Sequence, residues 1–225
     1  VTRAVLFDLD GTFADTAPDL GAALNRQRAR RNLDPIPLAT IRPHASAGAR
    51  GLLRLGFGLD PDAPDYPAMR EEFLHLYAQA LCEHTRLFPG IEALIRALGA
   101  ACVPWGIVTN KPQRFTLPLL EALGVTALTP CIVSGDTCAQ AKPHPAPLLH
   151  AATLIGVRAA DCVYVGDDER DVQASRAAGM LAVVAAYGYL GGRPYAEWNA
   201  DAVIGTPDEL LALLAPRCAV WSRPP

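Results

Sequence analysis

Two hydrophobic patterns alternate along this chain. Short, nearly unbroken apolar runs occur at residues 4–9, 104–109, 131–134, 161–166, 181–185 and 202–204. Strands covered by helices on both faces read this way, because neither face has to be polar. Between these runs, apolar residues recur every three to four positions over 91–98, 114–123, 146–154, 172–178 and 207–214, which predicts helices. The last of these has a start signal, with Thr206 as N-cap, Pro207 as the first helical residue and Glu209 closing a capping box. Strands alternating with helices of this length predict an α/β fold with a doubly wound parallel sheet, a Rossmann-like core.

One interval departs from the alternation. After Asp15 no strand pattern appears until Pro104, far more chain than a single crossover needs. Met69, Phe73, Leu76, Tyr77, Ala80 and Leu81 keep helical spacing and predict one amphipathic helix. Residues 19–32 and 49–55 are weaker candidates for two more, and Pro61–Pro67 and Phe88-Pro89-Gly90 punctuate the interval. The expected organisation is a core domain of residues 1–15 and 87–225, with an α-helical cap inserted at 16–86.

Composition narrows the function classes. The chain has 225 residues, 51% hydrophobic and 19% charged, which excludes a disordered or fibrous protein. A net charge of −3 provides no basic face, so no nucleic-acid partner is expected. No apolar stretch approaches the roughly 18–20 residues of a membrane span, and no signal-like segment opens the chain. None of the six cysteines (Cys82, Cys102, Cys131, Cys138, Cys162, Cys218) forms a C-x-x-C pair. Reduced, mostly buried thiols in a cytoplasmic protein are the expectation.

Ligands of open α/β sheets collect beyond the carboxyl ends of the strands. Here the first strand ends Asp8-Leu9-Asp10-Gly11-Thr12, with Asp8 and Asp10 on one side of the alternation. The second ends Thr109-Asn110-Lys111, a later loop brings Lys142, and another strand ends Gly166-Asp167-Asp168-Glu169-Arg170-Asp171. Carboxylates gathered on one rim repel unless a cation joins them. Oxygen ligands without His or Cys favour Mg2+, which keeps room for water and a substrate phosphate, while the lysine and hydroxyl suit the other phosphate oxygens. These residue types imply phosphoryl transfer. His44, His75, His84, His144 and His150 show no ligand spacing and receive no role.

The run Phe7-Asp8-Leu9-Asp10-Gly11-Thr12 resembles the signature of the haloacid dehalogenase superfamily. Thr109, Lys142 and Gly166-Asp167-x-x-x-Asp171 resemble its three later motifs, in order. Asp15-Thr16-Ala17-Pro18-Asp19-Leu20, Val108-Thr109-Asn110-Lys111-Pro112, Gly188-Tyr189 and Trp198-Asn199-Ala200-Asp201 are similar to the phosphoglycolate phosphatase branch. Phe88, the run Trp105-Gly106-Ile107-Val108, Arg114-Phe115 and Val165-Gly166-Asp167-Asp168 look like the N-acetylmuramic acid 6-phosphate phosphatases of the same branch. Two positions depart from the pattern: Phe13 stands where Leu is common, and Asp168 where Ser is.

The resemblance implies a Mg2+-dependent phosphomonoesterase acting on a small phosphorylated metabolite, 2-phosphoglycolate or N-acetylmuramic acid 6-phosphate. Asp8 is then the nucleophile and Asp10 the general acid and base. Asp8, Asp167 and the backbone carbonyl of Asp10 ligate the metal. Thr109 and the backbone around Asn110 hold the phosphoryl group, Lys142 neutralises it, and Asp168 and Asp171 anchor the surroundings. Asp171 also reads as a carboxylate at a helix start. Lys111, just past its motif, reads as an ordinary surface lysine. Arg50, in the cap, either pairs with a substrate carboxylate or is a surface arginine at a helix start. A phosphosugar mutase shares these motifs and is the alternative. A dehalogenase is disfavoured by Asp10 together with Asp167, and a non-catalytic binding module by the filled catalytic positions.

Overall fold

A computed structural model describes residues 2–215. Six parallel strands form the sheet: β1 (Ala4–Phe7), β4 (Trp105–Val108), β5 (Ile132–Val133), β6 (Cys162–Gly166), β7 (Leu181–Ala185) and β8 (Ala202–Ile204). Their spatial order is β5-β4-β1-β6-β7-β8. The chain therefore builds outward from β1 to one edge and then, from β6, to the other, which is the strand order of a dinucleotide-binding sheet. β1 is central, with Val5 opposite Trp105 on one side and Val163 on the other. All four of its residues are fully buried, which explains its unbroken apolar sequence.

Helices α5 (Ile91–Ala100), α6 (Gln113–Ala122), α7 (Ala146–Ile155), α8 (Glu169–Ala177) and α9 (Glu209–Leu214) flank the sheet. Val5, Phe7 and Ile107 face one core layer with Leu94, Leu98 and Leu210. Leu6, Val108 and Tyr164 face the opposite layer with Leu148 and Ala151. Phe13, at the position noted as unusual, packs its ring 5.6 Å from that of Trp105 and 5.7 Å from that of Phe7.

Between β1 and β4 the chain forms α1 (Ala17–Ala29), α2 (Leu38–Ile41), a 3-10 turn (Arg42–Ala47), α3 (Gly48–Phe57) and α4 (Tyr66–Ala78). These helices have their own apolar centre, including Leu24, Ile41, Leu52, Leu53, Phe73 and Leu76. Several expectations need correction here. α4 ends at Ala78, so Ala80 and Leu81 continue its spacing beyond the helix. The interval also contains a strand, β3 (Arg86–Leu87), pairing antiparallel with β2 (Ala14–Asp15). Two residues are too few to show a period. α9 begins after an Asp208 N-cap that makes no side-chain hydrogen bond, and the Glu209 carboxylate accepts from the Gly205 N–H rather than closing a box with Thr206. Of the five described cysteines, all free, only Cys131 and Cys162 are buried and Cys102 is exposed; Cys218 lies outside the described residues. Among the described residues no helix is long and apolar enough to cross a membrane.

Buried polar contacts tie the inserted helices to the ribbon. Asp19 accepts from the His84 N–H at 2.9 Å, the Thr85 N–H at 2.8 Å and the Thr85 hydroxyl at 2.7 Å, and it is 1% exposed. Asp15 takes two hydrogen bonds from Arg42, and Tyr189 donates its hydroxyl to Asp15 while accepting from the Thr16 and Ala17 N–H groups. Asp19→Ala removes the acceptor of three donors. It is expected to cost about 3 kcal/mol and to lower Tm by about 6–12 °C in calorimetry. A shift below about 2 °C would show that those donors find other partners.

Candidate active site

The sheet changes direction between β1 and β6, where the flanking connections diverge and a crevice opens. Asp8 and Asp167 follow these two strands. The Asp8 N–H donates to the Val165 carbonyl at 2.8 Å, extending the ladder one residue beyond β1. The chain then turns sharply, with the Phe13 and Ala14 N–H groups bonded back to the Leu9 carbonyl. Gly11 carries this turn at φ +89°, and a Cβ there would stand 2.1 Å from Asp167 Oδ2. Only glycine fits both the angle and the space.

Lys142 joins the carboxylates. Its Nζ lies 2.8 Å from Asp8 Oδ1 and 2.7 Å from Asp171 Oδ1, and it donates to the Tyr164 hydroxyl at 2.7 Å. The Asn110 side chain holds the lysine's loop, donating to the Lys142 carbonyl and accepting from its N–H, each at 2.9 Å. Both ends of that amide are thereby occupied. Burial works against the Lys142 charge, but Asp171 and Asp8 overcome it and raise the lysine above its ordinary value. Thr109 is 2% exposed at the end of β4 and accepts from the Lys111 N–H.

Oxygen atoms of Asp8, Asp167 and Asp171 lie within 4.8 Å of one another, all three residues buried. Three formal negative charges thus face the one positive charge of Lys142, and the excess of two matches a divalent cation. Asp8 Oδ1 accepts no hydrogen bond of good geometry despite its ion pair. Burial pushes the Asp8 carboxyl up to about 7 against the pull of Lys142. Burial, then the Asp8 and Asp171 charges, raises Asp167 well above the carboxylate range. Oxygen-only donors and formally uncompensated negative charge together fit a hard divalent cation. Asp167 also accepts from the Thr12 hydroxyl, the Ser46 hydroxyl and the Tyr189 N–H.

The pair Asp168 and Asp171 caps α8. Asp168 accepts from the Arg170 N–H while Asp171 Oδ2 accepts from the Asp168 N–H, a capping box that starts the helix at Glu169 rather than Val172. Asp171 therefore serves both as helix cap and as the partner of Lys142. Asp168 instead clamps the Arg170 guanidinium through both oxygens, and Arg170 reaches the Ser46 carbonyl.

Lys111 corrects the sequence expectation. It is not a surface lysine but 8% exposed, with Nζ 2.9 Å from Asp10 Oδ1 and 4.7 Å from the centre of the Tyr77 ring. Burial opposes its charge, yet Asp10 and Tyr77 together raise it above the ordinary lysine value. The Thr16 hydroxyl donates to the same Asp10 oxygen at 2.6 Å. A lone lysine after a strand-end motif carries no sign of burial, because its partners lie in other segments.

A cavity of about 330 Å³ opens above these groups, reaching from Asp8, Asp10, Thr109 and Lys142 to the inserted helices. Ala47, Gly48, Ala49 and Arg50 line it, as expected of that turn, and Arg50 itself is exposed. Tyr66, Arg70, Phe73 and Tyr77, spaced along one face of α4, line it too. Arg70, Ser46 and Arg170 escaped the sequence reading; each is an isolated polar residue whose place depends on packing between distant elements.

Residues 5–185 match the family model of haloacid dehalogenase-like hydrolases, and the chain belongs to this family. Among individual proteins, it is 45% identical over 223 residues to a phosphoglycolate phosphatase of Xanthomonas campestris, covering 99% of this chain and 98% of that one. It is 38% identical over 213 residues to an N-acetylmuramic acid 6-phosphate phosphatase of Pseudomonas aeruginosa, covering 94% of each. The solved structure of a hydrolase of the family from Deinococcus radiodurans, with bound phosphate and sodium, superposes with a TM-score of 0.72 at 25% identity over 96% of both chains.

The raised carboxyls set a pH dependence. Asp8 and Asp167 hold protons more tightly in the metal-free fold than in the unfolded chain. The stability they contribute is therefore full below about pH 4 and lost as pH rises toward 7 and above. Cation binding needs both groups ionised, so it strengthens as that stability fades. Added Mg2+ is expected to raise Tm by several degrees near pH 8 and by little near pH 5, read by scanning fluorimetry against EDTA. Equal shifts at both pH values, or none at either, would exclude these carboxylates as the binding site.

Proposed function

We propose that this phosphatase hydrolyses small phosphomonoesters through an aspartyl-phosphate formed on Asp8. The observation that carries the reading is Asp8 at the end of the central strand, in ion-pair contact with Lys142 and grouped with Asp167 and Asp171. Residues 1–15 and 87–225 act as the core and 16–86 as a cap, a division supported by the separate apolar centre of the inserted helices. The β2–β3 ribbon, whose strands flank this insertion, supports the same boundaries. Free thiols are compatible with a reducing, cytoplasmic setting.

Mg2+, held by Asp8, Asp167 and the carbonyl of Asp10 with Asp171 beside them, would screen the phosphate dianion and ease its approach to a carboxylate. The phosphoryl group sits between the Thr109 hydroxyl, the backbone at Asn110 and Lys142. An Asp8 oxygen attacks phosphorus, the P–O ester bond breaks, and Asp10 gives its proton to the departing oxygen. Asp10, now ionised, takes a proton from water as that water attacks the phosphorus. The bond to Asp8 breaks, inorganic phosphate leaves and the carboxylate is restored. Thr16 and Lys111 hold one Asp10 oxygen, so the other is the one that exchanges protons.

The substrate is assigned to carboxylate-bearing phosphomonoesters, 2-phosphoglycolate or N-acetylmuramic acid 6-phosphate. Support comes from the relatives' names and from Arg50 and Arg70 on the cap side of the cavity. Phosphate release from these two esters, glucose 6-phosphate and β-glucose 1-phosphate should single out one by roughly 100-fold in kcat/KM, about 2.7 kcal/mol of transition-state binding. Flat, low activity despite bound Mg2+ would overturn the assignment. Asp8→Asn is expected to abolish release while preserving the fold by circular dichroism, and more than a few per cent residual activity would remove Asp8 as nucleophile. Arg50→Ala should raise KM roughly tenfold for the carboxylate-bearing ester alone; an unchanged KM would return Arg50 to the surface.

A further inference from the structure

The 3-10 turn Arg42–Ala47 belongs to the inserted helices, yet it is seated on the loops that follow β6 and β7. Arg42 pairs with Asp15, and its guanidinium lies 5.6 Å from the centre of the Tyr189 ring. The Pro43 carbonyl approaches Gly191 so closely that a Cβ there would stand 1.9 Å from it. Arg170, aligned by both oxygens of Asp168, donates to the Ser46 carbonyl at 2.9 Å. Seated in this way, the turn brings the Ser46 hydroxyl 2.9 Å from Asp167 Oδ2, to which it donates across 121 positions of chain. Neither the nucleophile, the acid nor the phosphate pocket uses this hydroxyl.

An ionised carboxylate has about four acceptor positions, two on each oxygen. Asp167 is fully buried, so protein groups have to supply the donors. Oδ2 takes two, the Tyr189 N–H and the Ser46 hydroxyl, each at 2.9 Å. Oδ1 takes one, the Thr12 hydroxyl at 2.8 Å. The position left open is therefore on Oδ1. Without Ser46 each oxygen would hold a single donor, and nothing in the hydrogen bonding would tell the two apart.

We propose that Ser46 is a positioning residue for the cation site, its hydroxyl filling the second acceptor position of Asp167 Oδ2 and leaving Oδ1 as the ligand atom. The proposal rests on the cation reading of Asp8, Asp167 and the Asp10 carbonyl. It adds that the site is complete only while the turn is seated. Linkage makes the effect reciprocal: whatever Ser46 adds to cation affinity, a bound cation adds to the seating of the turn. Arg50 follows the turn on α3 and lines the cavity, so filling the cation site also steadies the residue assigned to the substrate carboxylate.

The test titrates Mg2+ alone, near pH 8, into the parent, Ser46→Ala and Ser46→Thr by calorimetry, with no turnover involved. Ser46 is half-buried, and circular dichroism of both variants should match the parent. Ser46→Ala is expected to weaken Mg2+ binding roughly tenfold, the usual scale for losing a partner of a metal-bound carboxylate. Ser46→Thr, which keeps the hydroxyl, should restore the parent's affinity. Saturating Mg2+ should slow amide hydrogen exchange over residues 42–50 of the parent by a similar factor, and that slowing should vanish in Ser46→Ala. A Kd equal to the parent's in Ser46→Ala, with phosphate release intact, overturns the proposal alone. Exchange over 42–50 that ignores Mg2+ in the parent overturns it as well. Absence of Mg2+ binding in the parent overturns it together with the cation reading. A weakened Kd in Ser46→Ala, with no phosphate release by the parent from any ester, would sustain Ser46 and remove the phosphatase reading.

Discussion

The charge imbalance beyond β1 and β6 governs the rest of the site. Asp8, Asp167 and Asp171 are buried around one ammonium group, Lys142. Clustered carboxylates in a poorly solvated crevice are destabilising unless protonated or joined by positive charge. Each surrounding element answers that demand in part. Tyr164 and Asn110 hold Lys142 and its loop, Thr12 and the Tyr189 N–H satisfy Asp167, and the helix cap of α8 takes one oxygen of Asp171. Counted formally, two negative charges remain unpaired, and that excess fits a divalent cation.

The inserted helices address the same carboxylates from the other side. Ser46 donates to Asp167, and Arg170, aligned by Asp168, reaches back to the Ser46 carbonyl. Asp168 thus has a definite purpose here where the branch commonly carries Ser: it fixes the direction of Arg170. These bonds join the inserted helices directly to the buried carboxylates that follow β6. Lys111 completes the arrangement by joining Asp10 to Tyr77 on α4.

Much of this was legible in the sequence because the strands are buried on both faces. Their apolar runs stand out, and the residue that ends each run is polar for a reason other than packing. Asp8, Thr109 and Asp167 were found in that way. What was not legible depends on partners remote in sequence. Lys111 looks solvated until Asp10 and Tyr77 are placed around it, and Ser46 has no pattern at all. β3 is a two-residue strand with an exposed arginine, and no periodicity survives at that length. The apolar spacing puts the start of α8 three residues late because its first turn is made of charged capping residues rather than apolar ones.

The Thr12 hydroxyl and Asp167 that meet beside Gly11 are 155 residues apart in the chain. β1 is the first of the sheet's strands along the chain and its partner β6 the fourth. Contacts of such high sequence separation form slowly, since a long loop must close before they add any stability. A piece of this chain that lacks either β1 or β6 therefore lacks the crevice. Asp8 follows one of these strands and Asp167 the other, so the acidic cluster exists only while the strand pair is formed.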